Sequence, residues 1–158
     1  MDGDRRIRGR AVYRSLVEVS EKVTQRTEIT IGYTINRLIV EAGLDAVDAR
    51  TRKALADSGL GVLTEIDIAA AMKKKLDIEM SPYLTLGACN QKIAHQAIGI
   101  EPRVGAMLPC NVILRAIDGG VEVSAIDPVV SMAAIHNAEL HAVPGQVRDL
   151  LADAVAAI

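Results

Sequence analysis

The stretch Val112-Ile113-Leu114-Arg115-Ala116-Ile117-Asp118-Gly119-Gly120-Val121-Glu122-Val123-Ser124-Ala125-Ile126 decides the fold. Asp118-Gly119-Gly120 is a hairpin turn, and the alternation from Val121 to Ile126 reads as the strand that leaves it. The arm entering the turn belongs to a strand expected over Val104 to Ala116. Pro109 lies inside that span and cannot donate to a ladder, so it implies an edge, a bulge or a break. After the hairpin, Pro144 is a good first helical position. Val147, Leu150, Leu151, Ala154, Val155 and Ile158 then form one apolar stripe that needs a sheet or a partner to cover.

Upstream of the hairpin, strands and helices alternate. Ile29, Ile31, Tyr33 and Ile35 turn one face of a strand inward. Gly43 opens a helix carrying Leu44, Val47, Ala54 and Leu55, which Gly59 stops. Leu60 to Ile68 is a second strand, with Leu63, Glu65 and Asp67 on one face and Val62, Thr64 and Ile66 on the other. Asp67 is placed to cap a helix from Ile68 to Leu76, and Lys73 to Lys75 suit that helix's negative end. Tyr83 to Ala88 is a third strand, and Asn90 caps a helix carrying Ile93, Ala94, Ala97 and Ile98. The expectation is an α+β fold: a five-stranded mixed sheet with helices packed on it, in the order β-α-β-α-β-α-β-β-α. Residues 1–29 read as a basic extension and 30–158 as one domain.

Composition excludes several functions. The 158 residues contain no Phe or Trp and three Tyr, so the aromatic platforms that stack single-stranded bases are missing, and a net charge of −2 gives no general attraction to phosphate. Nucleic acid is not an expected partner. Residues 1–26 hold seven Lys or Arg against four Asp or Glu, which is +3 there and −5 in the rest. Val12, Leu16, Val19 and Val23 give that segment a helical stripe suited to a terminal helix, a membrane surface or an acidic partner. No apolar run reaches the roughly 20 residues of a membrane span, and no secretory stretch follows the arginine-rich start. A cytoplasmic location with reduced thiols is the expectation.

The two cysteines stand in a near-repeat, Gly87-Ala88-Cys89-Asn90 and Leu108-Pro109-Cys110-Asn111. Together with Gly61-Val62-Leu63-Thr64-Glu65-Ile66-Asp67, Ala94-His95 and Val123-Ser124-Ala125-Ile126-Asp127-Pro128, these segments make the chain resemble Domain of Unknown Function family 302 from about Gly32 to Ile158. The resemblance implies a small α+β domain that pairs as a homodimer, and it implies no established activity. Residues 1 to about 29 lie outside it.

Each position has two readings. Cys89 precedes a helix N-terminus, where the dipole lowers a thiol pKa, or it is a buried small hydrophobe; Cys110 has no such dipole. Asn90 is a cap or a ligand contact, and Asn111, if buried, must satisfy its own amide. His95 with the two thiols falls short of a zinc signature, and His136 and His141 sit in a loop beyond the hairpin, so no metal is assigned and no cofactor is named. Glu65 and Asp67 form an acid–base pair if they share a cleft. Asp127-Pro128 is a turn, or Asp127 joins Glu65 and the asparagines. The leading expectation is a small molecule bound in a polar, redox-sensitive pocket of Cys89, Asn90, Cys110, Asn111, Glu65, Asp127 and His95. The alternatives are a homodimeric interaction module with no ligand and, behind both, a cysteine-dependent enzyme.

Overall fold

A computed structural model describes residues 32–158. The stripe Val12, Leu16, Val19 and Val23, and the expected strand residues Ile29 to Ile31, lie outside the described residues. The elements run β1 (Thr34–Val40), α1 (Leu44–Asp57), β2 (Gly61–Asp67), α2 (Ile68–Leu76), β3 (Tyr83–Cys89), α3 (Gln91–Ile100), a 3-10 segment (Pro102–Met107), β4 (Cys110–Ile117), β5 (Gly120–Ile126), α4 (Pro128–Ser131) and α5 (Val143–Ala157), with a short 3-10 turn at Ala138–Leu140 before α5.

The five strands form one sheet in the order β1-β5-β4-β3-β2, with every neighbouring pair antiparallel. The expected mixed sheet is thus corrected to an antiparallel one. Strand–helix–strand order is compatible with either sense; what decides it is the end at which the chain re-enters the sheet. The segments 77–82 after α2 and 101–109 after α3 bring it back at the end it left, so β2–β3 and β3–β4 pair antiparallel although a helix separates each pair.

Two strand boundaries also move. β1 is Thr34–Val40, so the expected alternation is real at Ile35 and continues to Ile39, both buried, whereas Tyr33 stands exposed in the turn before it. β4 begins at Cys110 rather than Val104. Pro102 opens a 3-10 segment whose first turn is capped by Glu101, which accepts from the Arg103 N–H at 3.2 Å. Pro109, after a cis Leu108–Pro109 peptide, then marks the strand break.

Register places Leu84, Leu86, Ala88, Cys110, Val112, Leu114, Val121, Val123, Ala125, Ile35 and Ile39 on one face of the sheet, all buried. α1 covers that face with Val47, Ala54 and Leu55, and α5 with Leu151, Ala154, Val155 and Ile158. Lacking Phe and Trp, the chain fills this layer with branched aliphatics and alanines, which allow helices to lie close to the sheet. Arg37 of β1 donates to the carbonyls of Val155 and Ala156, satisfying two of the orphan acceptors at the end of α5. A smaller apolar cluster of Ala97, Val104, Met132 and Leu140 sits under α3 and the 3-10 segment.

Gly87 shows how tightly β3 and β4 are joined. A Cβ there would meet Pro109 Cγ at 2.5 Å and Thr64 Oγ1 closer still. The proline ring and the β2 threonine together occupy the space a side chain would need. Gly87→Ala is therefore expected to destabilise the domain by about 1–3 kcal/mol through overpacking, read as a lower denaturation midpoint at unchanged slope. Full stability in that variant would show that Pro109 does not seal the seam.

Candidate functional site

The thiols come together at one end of the sheet. Ala88 of β3 pairs with Cys110 of β4, so Cys89 lies diagonally across the strand pair from Cys110. Both are free and buried. They line one cavity, with Asn90, Ile93, Ala94 and Ala97 from the start of α3, Val104 and Leu108 from the connection to β4, Pro128 and Met132 around α4, and Val143 and Val147 of α5. Its internal volume is about 20 Å³, room for one water-sized particle. The lining is almost wholly apolar.

The roof of this cavity is set by Asp127. Its Oδ1 accepts from the Val129 N–H at 2.9 Å, capping α4, and its Oδ2 accepts from Arg148 Nε of α5 at 2.8 Å. Its backbone N–H donates to Tyr33 O at 2.9 Å, tying the end of β5 to the residue preceding β1. The paired carboxylate raises the Arg148 pKa above its ordinary value, through the hydrogen bond first and the charge second. Asp127 is a structural clamp beside the cavity and is not among its lining residues.

Asn90 is likewise occupied by structure. Its Oδ1 accepts from the Ile93 N–H at 3.0 Å, which caps α3, while its Nδ2 donates to Gly59 O at 3.0 Å. One side chain thereby fixes both the start of α3 and the turn between α1 and β2, where Gly59 has a φ of 77°.

The remaining expected site residues lie elsewhere. Asn111 follows Cys110 on a strand, so it points to the opposite face and is exposed, with no buried amide to satisfy. His95 is exposed on α3 and does not line the cavity. Glu65 is exposed on β2 and pairs with Arg52 of α1, which also holds Asp48. Those two carboxylates raise the Arg52 pKa, Asp48 contributing the larger share. Asp67 caps α2, accepting from the Ala70 N–H at 2.8 Å, while Glu65 is held by Arg52. Of the residues expected to share a pocket, Cys89, Asn90 and Cys110 line the apolar cavity, whereas Asn111, Glu65, Asp127 and His95 are not among its lining residues. Among the described residues no three His, Cys, Asp or Glu side chains converge.

Met132 is the lining residue that sequence reasoning missed. It follows α4, is buried, and adds a thioether to the two thiols. Its only sequence signal is its distance of four residues beyond Pro128, since nothing about a methionine after a turn marks it as a neighbour of Cys89.

The comparisons agree with this architecture. The model of the family described as Domain of unknown function DUF302 matches residues 37–158. The chain belongs to the DUF302 family. It is also similar in fold to the crystal structure of an uncharacterized conserved DUF302 protein from Bacillus stearothermophilus, with a TM-score of 0.73 at 19% identity, covering 80% of this chain and 99% of that one. No curated protein matches the chain. As a DUF302 domain it carries no established activity, and no helix among the described residues is long and apolar enough to cross a membrane.

Burial sets the chemistry of the thiols. Desolvation raises the Cys89 pKa, the reverse of the shift expected from a helix N-terminus alone. Desolvation, with the neighbouring Cys89 charge behind it, pushes Cys110 from 9.0 up to about 11. Both are thiols at neutral pH, and alkylation by iodoacetamide at pH 7.5 should run slower for each than in the urea-unfolded chain; equal rates would refute the buried-thiol assignment. The linked stability follows in sign. A raised folded pKa makes the contribution of Cys110 complete below the unfolded value and lost as pH climbs through the folded one. Between pH 9.0 and about 11 the wild type should lose stability more steeply than Cys110→Ala. Parallel melting-temperature curves for the two would contradict it.

Proposed function

We propose that the domain is a self-associating interaction module whose contact surface is the β2–α2 layer. The observation that carries this reading is the exposure of that layer. From Leu63 to Pro82 no residue is buried, and only Ile68, Ala69 and Ala71 are even partly covered. α2 has no buried residue, whereas an ordinary amphipathic helix buries one stripe. Leu63, Ile66, Met72, Leu76, Ile78 and Met80 are all exposed, Leu76 at 60% and Leu63 at 53%.

Six half-exposed side chains of this size present on the order of 500 Å² of apolar surface. With the charged rim, that total approaches the roughly 800 Å² each partner contributes to a standard interface. β2 is also an edge strand, hydrogen-bonded to β3 on one side.

A second copy of the chain is the occupant that the charge pattern favours. Glu65 and Asp67 lie at the N-terminal end of α2, and its last turn presents Lys74 and Lys75 beside Lys73, which Asp77 and Glu79 already hold. An antiparallel pairing of α2 with its own copy about a two-fold axis sets the lysines of each chain against the carboxylates of the other. Lysine stems at the rim cover further apolar area while keeping their charges in water.

Light scattering at about 100 µM is expected to give twice the 16.8 kDa chain mass. Leu63→Lys with Leu76→Lys should give the single mass with an unchanged circular dichroism spectrum, because both side chains are already solvent-facing. A wild-type monomer at that concentration overturns the proposal, and a variant that stays dimeric overturns this surface.

A further inference from the structure

Three sulfur atoms belong to residues lining the cavity at the end of β3 and β4: the thiols of Cys89 and Cys110 and the thioether of Met132. We propose that this cavity is a site for a single soft monovalent cation of the Cu(I) class, held by the two cysteine sulfurs with Met132 as the third, weaker ligand. Four observations converge on it.

The first is ligand chemistry. Thiolate and thioether donors select Cu(I), whereas carboxylates and carbonyls suit hard cations, and zinc wants four ligands. Neither a carboxylate nor an imidazole belongs to any residue that lines the cavity. With two thiols and one thioether the set is one ligand short for tetrahedral zinc and sufficient for a two- or three-coordinate ion.

The second is size. A volume of about 20 Å³ accommodates one atom-sized guest and excludes an organic molecule unless the walls part. The narrowness that weakens the case for a metabolite is what a bare ion needs.

The third is enclosure. Cys89, Cys110 and Met132 are each 7% exposed, and the apolar side chains of Ile93, Ala97, Val104 and Leu108 line the cavity with them. A dry surround keeps water away from an ion that is easily oxidised in its presence.

The fourth is charge. Binding replaces two S–H protons, released to solvent, by one cation, so the site passes from neutral to −1 with no change in oxidation state. That residual charge forms directly before α3, whose first-turn N–H groups start at Asn90. The positive end of a helix is where a net negative charge is tolerated. Asn90, pinned at both ends of its amide, holds α3 in that position.

The experiment uses the full reduced chain under anaerobic conditions. Cu(I) is titrated against bicinchoninate as a coloured competitor, with Zn(II) run in parallel. One Cu(I) per chain is expected, with thiolate-to-copper charge-transfer absorption in the near ultraviolet. The X-ray absorption spectrum should report an all-sulfur shell of two short and one longer distance. Cys89→Ser and Cys110→Ser should each lose more affinity than the 10–100-fold that removal of an outer-shell partner costs. Met132→Leu, close in volume and safe for folding, should lower affinity about tenfold and remove only the longer sulfur distance. No competition by the wild-type chain overturns the site, as does a preference for Zn(II). Cu(I) affinity undiminished in both cysteine variants places the metal elsewhere and overturns it too. Should either serine variant fail to fold, an unchanged sulfur shell in Met132→Leu would by itself refute the three-sulfur assignment.

Discussion

The buried carboxylate of Asp127 is the contact on which the thiol end of the molecule depends. One side chain caps α4 and holds α5 through Arg148, and its backbone N–H ties β5 to Tyr33. A carboxylate at 9% side-chain exposure is costly to desolvate, and it is tolerated because both oxygens are used, one by a helix N-terminus and one by a guanidinium. Pro128, Met132, Val143 and Val147, the residues that roof the cavity, all hang from the two helices this carboxylate joins. Losing one partner would leave a buried charge unpaired, which is why the cavity's shape follows from a residue that does not line it.

Local signals were legible from residue types because the physics that sets them is local. Asp67, Asn90 and the Asp118-Gly119 turn act where they stand, since an orphan N–H or a positive φ is a requirement of three or four consecutive residues. The stripe of α5 was readable for the same reason: its spacing of 3, 4, 7, 8 and 11 is the helix's own period. Strand sense was not, because it depends on where the chain returns after a helix. Nor was the start of β4, where Pro102 and Pro109 compete and the first wins a 3-10 turn.

The site failed to be legible in a more instructive way. Adjacent residues in a sequence motif look like a cluster, yet on a strand neighbours point to opposite faces, so Cys110 enters the cavity while Asn111 leaves it. The same separation sends Glu65 to Arg52 at the sheet edge and His95 to the outer side of α3. What gathers around the thiols is instead supplied by two distant connections, one carrying Val104 and Leu108 and the other Pro128 and Met132, and by Val143 and Val147 of α5. A motif-based reading therefore anticipates polarity where packing delivers sulfur and hydrocarbon. The same packing raises the Cys89 pKa by desolvation, a shift opposite in sign to the one its place before α3 suggests.

The two surfaces meet at the start of β2, where Leu63 lies between the partners of Ala88 and Gly87, and they separate along the strand. β2 starts at Gly61, paired with Cys89, and ends at Asp67, paired with Leu84. Six strand steps of about 3.3 Å put roughly 20 Å between the thiol end and the point where α2 leaves the sheet. α2 with Leu76, and Ile78 and Met80 beyond it, follow that far end of β2, and none of them is among the cavity-lining residues. Sites separated by more than about 10 Å with no shared partner contribute additively to stability. The path from the α2 end to the thiols runs along β3, which pairs with β2 from Leu84 to Cys89. Gly87, wedged between Thr64 and Pro109, holds that strand in place between β2 and β4.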